Sequence, residues 1–307
     1  MHGNGSHLAS TSGDAGLSRP RLSPAEWRAR EAAHLERATA LTEAHLARRS
    51  RAETHPVQDF LFTYYPFKPG QLKRWHPGAE VELVGAAERA DWRWYSVDPA
   101  GTASVDADRY LADRGDGLLF IRELLLNTSE RRAEFGCFGL HEWAMVYRQS
   151  DDDVRHNGVP LRLGSDGTDA VVERHRIRCS HFDAFRFFTD EAAPMNEFQP
   201  TRERMRELEQ PGCLHAGMDL YKWAAKLGPL VPGELLLDCF DLAQDIRELD
   251  MRASPYDLSG WGYVPVAIET PDGKAAYVSA QREFGDRGNR LRARLLAALE
   301  AINVAPR

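Results

Sequence analysis

The alternation of apolar and polar positions is most regular between residues 210 and 258, where it predicts two helices and a polar loop. The first helix covers residues 213–227 and stops at Gly228-Pro229, since proline cannot continue a helix and pushes its predecessor toward extended backbone. The second starts near Pro232, a residue suited to a first helical turn. In it Leu235, Leu236, Cys239, Phe240, Ala243, Ile246 and Leu249 recur at helical spacing and form a broad apolar face. Asp238, Asp241, Asp245 and Glu248 fall on the opposite side as a solvated stripe. Asp250 breaks the pattern, because it lies four residues after Ile246 and returns to the apolar side. A carboxylate there has to be paired or hydrogen-bonded, or its pKa rises, and Arg252 is the nearest candidate partner. Asp250 and Arg252 either tie the helix end to the next loop, or Asp250 forms the floor of a cleft with Arg252, Ser254, Tyr256 and Asp257 around it. The first helix poses a similar choice. His215, Asp219, Lys222 and Lys226 share a face, and this face is either a surface ion pair between Asp219 and Lys222 or the route by which His215 joins the cleft, where the helix start favours its neutral form.

Elsewhere the pattern is less even. Residues 1–22 are rich in Gly, Ser and His without periodicity and are expected to be disordered. Ser23-Pro24-Ala25-Glu26 has capping-box spacing and opens a long amphipathic helix to about Arg51. The aromatic run at residues 59–67, with Tyr64 and Tyr65, needs a large apolar surface or a flat ligand to stack against. A short helix is predicted at residues 71–75, closed by a turn at residues 75–78. Short strands follow at 80–84 and 92–97, the latter with Trp92, Trp94 and Ser96 on one face, and a helix at 118–127. Residues 135–148 read as a strand that sends His141, Trp143, Met145 and Tyr147 one way and Glu142, Ala144, Val146 and Arg148 the other. Antiparallel strands are predicted at 159–163, 171–179 and 182–188, a helix at 201–209, a hairpin of 264–269 with 275–278 turning at Pro271-Asp272-Gly273, and a last helix at 289–302. This mixture predicts an α+β fold in which helices pack with a small antiparallel sheet, as one domain over residues 23–307.

Composition narrows the picture. The chain has 307 residues, of which 43% are hydrophobic, ordinary for a soluble globular protein with a substantial core. No apolar run suffices to span a bilayer and no secretory signal is visible, so the cytoplasm is the expected compartment and no membrane partner is expected. A net charge of −7 argues against a generally basic nucleic-acid binder but leaves room for a local basic groove, with Arg48, Arg49 and Arg51, then Lys68, Lys73 and Arg74, or Arg174, Arg176 and Arg178 as candidates. Cys137, Cys179, Cys213 and Cys239 are widely separated and lack paired zinc-ligand spacing, so neither a disulfide framework nor a structural zinc is expected. Phosphate loops, dinucleotide fingerprints, nucleophile elbows and HExxH helices are missing from the sequence.

What remains is a set of polar pairs embedded in apolar sequence: His141 with Glu142, His181 with Asp183, His215 with Asp219, and Asp250 with Arg252. Buried ionisable groups of this kind mark either a functional cleft or a structural network. The segments HPVQDFLFTYYPFKPGQLKRWHPG, FGCFGLHEWAMVYR, CSHFDAFRFF, QPGCLHAGMDLYKWAAKL and DMRASPYDL resemble an actinobacterial family commonly labelled 3-methyladenine DNA glycosylase, over about Glu26 to the C-terminus. The resemblance implies DNA as partner and hydrolysis of the N-glycosidic bond of an alkylated purine. Such an enzyme extrudes the damaged nucleotide and stacks its base on aromatic rings, and a carboxylate stabilises the oxocarbenium-like sugar. On that reading Asp250 is the carboxylate, Arg252, Tyr256 and His215 assist it, Tyr64, Tyr65, Trp75, Trp143 and Trp223 stack, and no cofactor is needed. A rival reading is an enzyme acting on a small molecule, with iron or zinc held by His141, His181 and His215 together with Glu142 or Asp219. His141, Glu142, His181, Asp183, Asp219, Lys222 and Asp257 are the polar candidates for holding the substrate. A third reading is a binding module whose polar network is purely structural.

Overall fold

The computed structural model describes residues 19–149, 158–300 and 302. Its centre is the predicted helix pair: α9 (Leu214–Leu227) and α10 (Gly233–Arg252), joined through a short turn that contains Gly228-Pro229 and packed along most of their length. A 30-residue helix, α11 (Pro271–Glu300), lies against both. Gly217 makes the approach close, since a Cβ at that position would come within 2.9 Å of Ile246 Cδ1. The long helix α1 (Pro24–Ser50) packs on α10 and starts with the expected capping box, Ser23 accepting from the Glu26 N–H while the Glu26 carboxylate accepts from the Ser23 N–H. A second long helix, α4 (Ala107–Glu130), packs on α11 and on α8 (Met205–Leu208). The remaining helices are short: α2 (Phe60–Tyr64), α3 (Pro69–Leu72), α5 (Leu140–Ala144), α6 (Gly164–Arg174) and α7 (Phe182–Phe185). One large apolar core runs from Trp27 in α1 to Leu299 in α11. No helix among the described residues is long and apolar enough to cross a membrane.

The fold is α+β, as expected, with its small sheet at one side. Strands β1 (Arg21–Leu22), β2 (Glu82–Leu83), β3 (Tyr95–Val97) and β4 (Ala103–Val105) lie in the order β1-β2-β4-β3. The sheet is mixed rather than antiparallel, because β1 pairs in parallel with β2 after a crossover through α1. Of the segment expected to be disordered, residues 1–18 lie outside the described residues, while Arg21 and Leu22 are held in β1 by backbone pairing to the β2 segment.

Several predicted strands are helices. Residues 135–148 turn through left-handed backbone at Phe138 and Gly139 and then form α5, in which Leu140 through Ala144 are all buried. A run buried on every side has no period to read. Residues 171–174 are the end of α6 and residues 182–188 begin with α7, and in place of the expected strand pairing isolated bridges run elsewhere, from Leu161 to Tyr256 and from Ile177 to Asn196. The hairpin expected at Pro271-Asp272-Gly273 is the first turn of α11: the Thr270 hydroxyl accepts from the Gly273 N–H at 3.1 Å, with proline in the first helical position. Trp92, Trp94 and Ser96 do not share a strand face, since Trp94 has a φ of 62°.

Candidate metal centre

The polar residues that interrupt the apolar pattern meet beneath the α9–α10 pair. His215 lies in the first turn of α9 and Asp219 one turn on, so both project along one side of that helix. Asp250 sits in the last turn of α10 and is 0% exposed. His141 comes from α5, His181 immediately precedes α7, and Glu209 follows α8. These six residues form two groups, His141 with His215 and Asp250, and His181 with Glu209 and Asp219; within each, three ligand-type atoms lie within 4.8 Å of one another. The groups adjoin through His215, whose ring centroid is 4.5 Å from that of His141 and 5.3 Å from that of His181.

In the first group His141 Nε2 approaches Asp250 Oδ1 to 2.9 Å, and Arg247 Nη1 reaches Glu142 Oε1 at 3.0 Å and Asp250 Oδ2 at 3.5 Å. Cys137 Sγ lies 3.5 Å from His141 Nδ1. In the second group His181 Nε2 is 3.5 Å from Glu209 Oε1 and 3.4 Å from Asp219 Oδ2. Asp219 also accepts the Tyr65 hydroxyl at 2.8 Å and the Lys222 ammonium, which donates in turn to Asp183 at 3.0 Å. The close approaches between the histidines and their carboxylates are not directional hydrogen bonds. Nε2 of His141, both ring nitrogens of His181, Oε1 of Glu209 and Oδ1 of Asp250 are buried and without a hydrogen-bond partner among the described residues.

Burial and charge pull against each other here. Burial works to raise Asp250, but the adjacent His141, with Arg247, outweighs it and holds the carboxyl well below its usual range. Asp219 is likewise held low against burial by Lys222 and His181. Burial alone would depress His141 and His181, but Asp250 raises the first, and Glu209 with Asp219 the second. Glu209 has no such compensation, so burial pushes it up to about 7 despite His181. His215 is driven well down by burial and by the neighbouring His141, which keeps its ring neutral. The cluster thus offers two ionised carboxylates, Asp219 and Asp250, and the neutral His215 ring, while His141, His181 and Glu209 would lose a proton on binding a metal; imidazole and carboxylate are the donor set that iron, zinc and manganese accept.

The sequence reading placed His141, His181, His215, Asp219, Lys222, Asp183 and Asp250 among its candidates, and all are in or against the cluster. Asp219 and Lys222 are a buried pair, not a surface one. Tyr65 is hydrogen-bonded into the cluster and Tyr64 packs edge-on against it at 5.1 Å; Trp223 lies under the Lys222 ammonium at 4.4 Å. Glu142 joins through Arg247, and Trp143 beside it donates to the Ala253 carbonyl. Others lie elsewhere. Arg252 is not the partner of Asp250: its side chain turns outward to Glu248 and the Val264 carbonyl, because two positions past Asp250 the helix has rotated away from the core. Tyr256 packs in a separate small core with Val57, Val146 and Met251, Asp257 accepts from the Ser259 N–H, and Trp75 donates to Glu234. Glu209, Arg247 and Cys137 were missed. Arg247 was legible, since it lies four residues after Ala243 on the same apolar face that drew attention to Asp250.

Compared with known protein families, with curated proteins and with solved structures, the chain matches none of them.

Proposed function

We propose that the chain is a metal-dependent enzyme acting on a small molecule, with divalent metal held by His141, His215 and Asp250 and by His181, Glu209 and Asp219. One observation carries this reading. Buried nitrogen and oxygen atoms of opposite character lie 2.9–3.5 Å apart without pointing their hydrogens at one another. Groups that form a purely structural pair align their hydrogen bonds, because a buried polar atom left unmade costs about 1–3 kcal/mol. Groups that aim lone pairs at a shared cation do not. Two imidazoles with one carboxylate suit iron, and the carboxylate-richer second group suits iron, manganese or zinc. Because His215 is half-buried and the other five residues are buried, the substrate is small.

Base excision, the activity implied by the resemblance, needs a carboxylate facing an aromatic cavity of purine size. Asp250, the carboxylate assigned to that role, is sealed by His141 and Arg247, which weighs toward the metal reading. The test is metal analysis of the purified chain, followed by titration of chelator-stripped protein with Fe(II), Mn(II) and Zn(II), beside an assay for purine release from methylated duplex DNA. The metal reading expects stoichiometric binding that Asp250→Asn and Asp219→Asn each reduce. Purine release by protein that binds none of the three ions overturns it.

A further inference from the structure

The chain carries a second site on the other side of α9. A cavity of about 240 Å³ lies between the α9–α10 turn and the segment that enters the sheet. Phe67, Tyr221, Trp92 and Trp94 are among its walls, with Leu72, Val231 and Leu236, so its apolar lining is part aromatic and part aliphatic. Trp94 is held in left-handed backbone, an uncommon conformation for a bulky residue. It is fixed there by donation from Nε1 to Asp113 at 2.9 Å and by its ring packing on Tyr110 at 4.8 Å.

The charged groups of the cleft are donors, and Gln71 adds an amide whose oxygen accepts from the Lys68 N–H. Arg93 is neutralised by Asp113 at 2.9 Å, and the buried Arg89 behind Trp92 by Glu31. Arg74 lines the cleft with its guanidinium over the Trp92 ring at 5.1 Å and has no carboxylate partner among the described residues. His76 Nδ1 lies 2.9 Å from the Tyr95 hydroxyl, which has no other acceptor among the described residues. Donation from the hydroxyl to Nδ1 is the arrangement that places the hydrogen of a neutral His76 ring on Nε2. No carboxylate is among the described residues that line the cavity. The volume is below the roughly 300 Å³ at which sites for drug-sized ligands begin.

We infer that this cleft binds a small planar aromatic anion, a one- or two-ring compound whose carboxylate or phosphate meets Arg74 and His76 while its ring packs against the aromatic lining that includes Phe67 and Tyr221. The site is independent of the metal centre and does not rest on it. Stacking on aromatic faces is tolerant of ring identity, so selectivity lies in the anion.

The experiment is calorimetric titration of the full chain with indole-3-carboxylate, phenyl phosphate, neutral indole-3-carboxamide and inorganic phosphate, repeated on Arg74→Gln. Saturable binding of at least one aromatic anion is expected, with the carboxamide about tenfold or more weaker, as for loss of a charge-assisted hydrogen bond. Arg74→Gln should weaken the anion to a similar extent, and because Arg74 is exposed the variant folds. Whichever aromatic anion is preferred names the headgroup. Equal binding of the carboxamide, binding of inorganic phosphate as tight as that of phenyl phosphate, or no change in Arg74→Gln overturns the inference.

Discussion

Replacing Lys222 by methionine probes the buried half of the candidate centre. Methionine keeps most of the volume of the stem and removes only the ammonium, which lies between Asp183 and Asp219 at a position 9% exposed. Removing one partner of a buried ion pair costs about 3–5 kcal/mol, since the other charge remains without compensation. Here the lower end applies. Asp219 keeps the Tyr65 hydroxyl and His181, and Asp183 keeps Arg186 at 3.2 Å. The expected loss is therefore about 3 kcal/mol in chelator-treated protein, read from urea unfolding followed by tryptophan fluorescence. With about 2–4 °C per kcal/mol for domains approaching this size, the melting temperature should drop by roughly 6–12 °C. A divalent ion at His181, Glu209 and Asp219 replaces the missing positive charge. Metal at about a hundred times its dissociation constant should restore about 2.7 kcal/mol. A loss under about 1 kcal/mol in stripped protein would mean that the pair is screened by solvent and would refute the burial argument. A full loss that none of Mn(II), Fe(II) or Zn(II) repairs would refute the metal at this group.

Three further outcomes are expected. Asp250→Asn should release metal measured by elemental analysis and lower the melting temperature, whereas Arg252→Gln, which removes only outward contacts to Glu248 and Val264, should change stability by about 0.5 kcal/mol or less. Burial, with the positive charges of Arg89 and Arg74, lowers His76 to about 3, so between that value and its unfolded pKa of about 6.5 the unfolded chain binds a proton that the folded chain refuses. Stability from this residue is complete above pH ~6.5 and falls by about 1.4 kcal/mol per pH unit below it, a slope that should flatten in His76→Gln when denaturation midpoints are compared from pH 7 to pH 4. Thr270→Ala should cost about 1 kcal/mol by removing the cap of α11, visible as a lower urea midpoint with unchanged slope.

The legible parts of this chain are those where one helix face is polar and the other apolar. The α9–α10 pair could be drawn from sequence, and the same spacing put Asp250 inside and should have put Arg247 beside it. α5 could not be drawn, because five consecutive buried residues give no contrast between faces, and the left-handed step at Phe138 and Gly139 that redirects the chain leaves no hydropathy signal. The second half of α11 is the last helix read at 289–302, but its first half was hidden by a residue string that reads equally as turn or helix start; the Thr270 cap decides it. The histidines were found as oddities in apolar sequence, but their partners were not. His141 meets Asp250 and His181 meets Glu209 only through tertiary packing, and the local pairs His141 with Glu142 and His181 with Asp183 were the wrong ones to emphasise.

His215 and Asp219 belong to different ligand groups yet ride one turn apart on the same helix, with Gly217 between them pressed against Ile246. A helix gripped so closely cannot rotate one of these side chains without the other. If both groups hold metal, as proposed, they would be mechanically geared: occupation of one would fix the pitch and azimuth of α9 for its neighbour, and whatever free energy linked the first event to the second would be returned in equal measure in the opposite order.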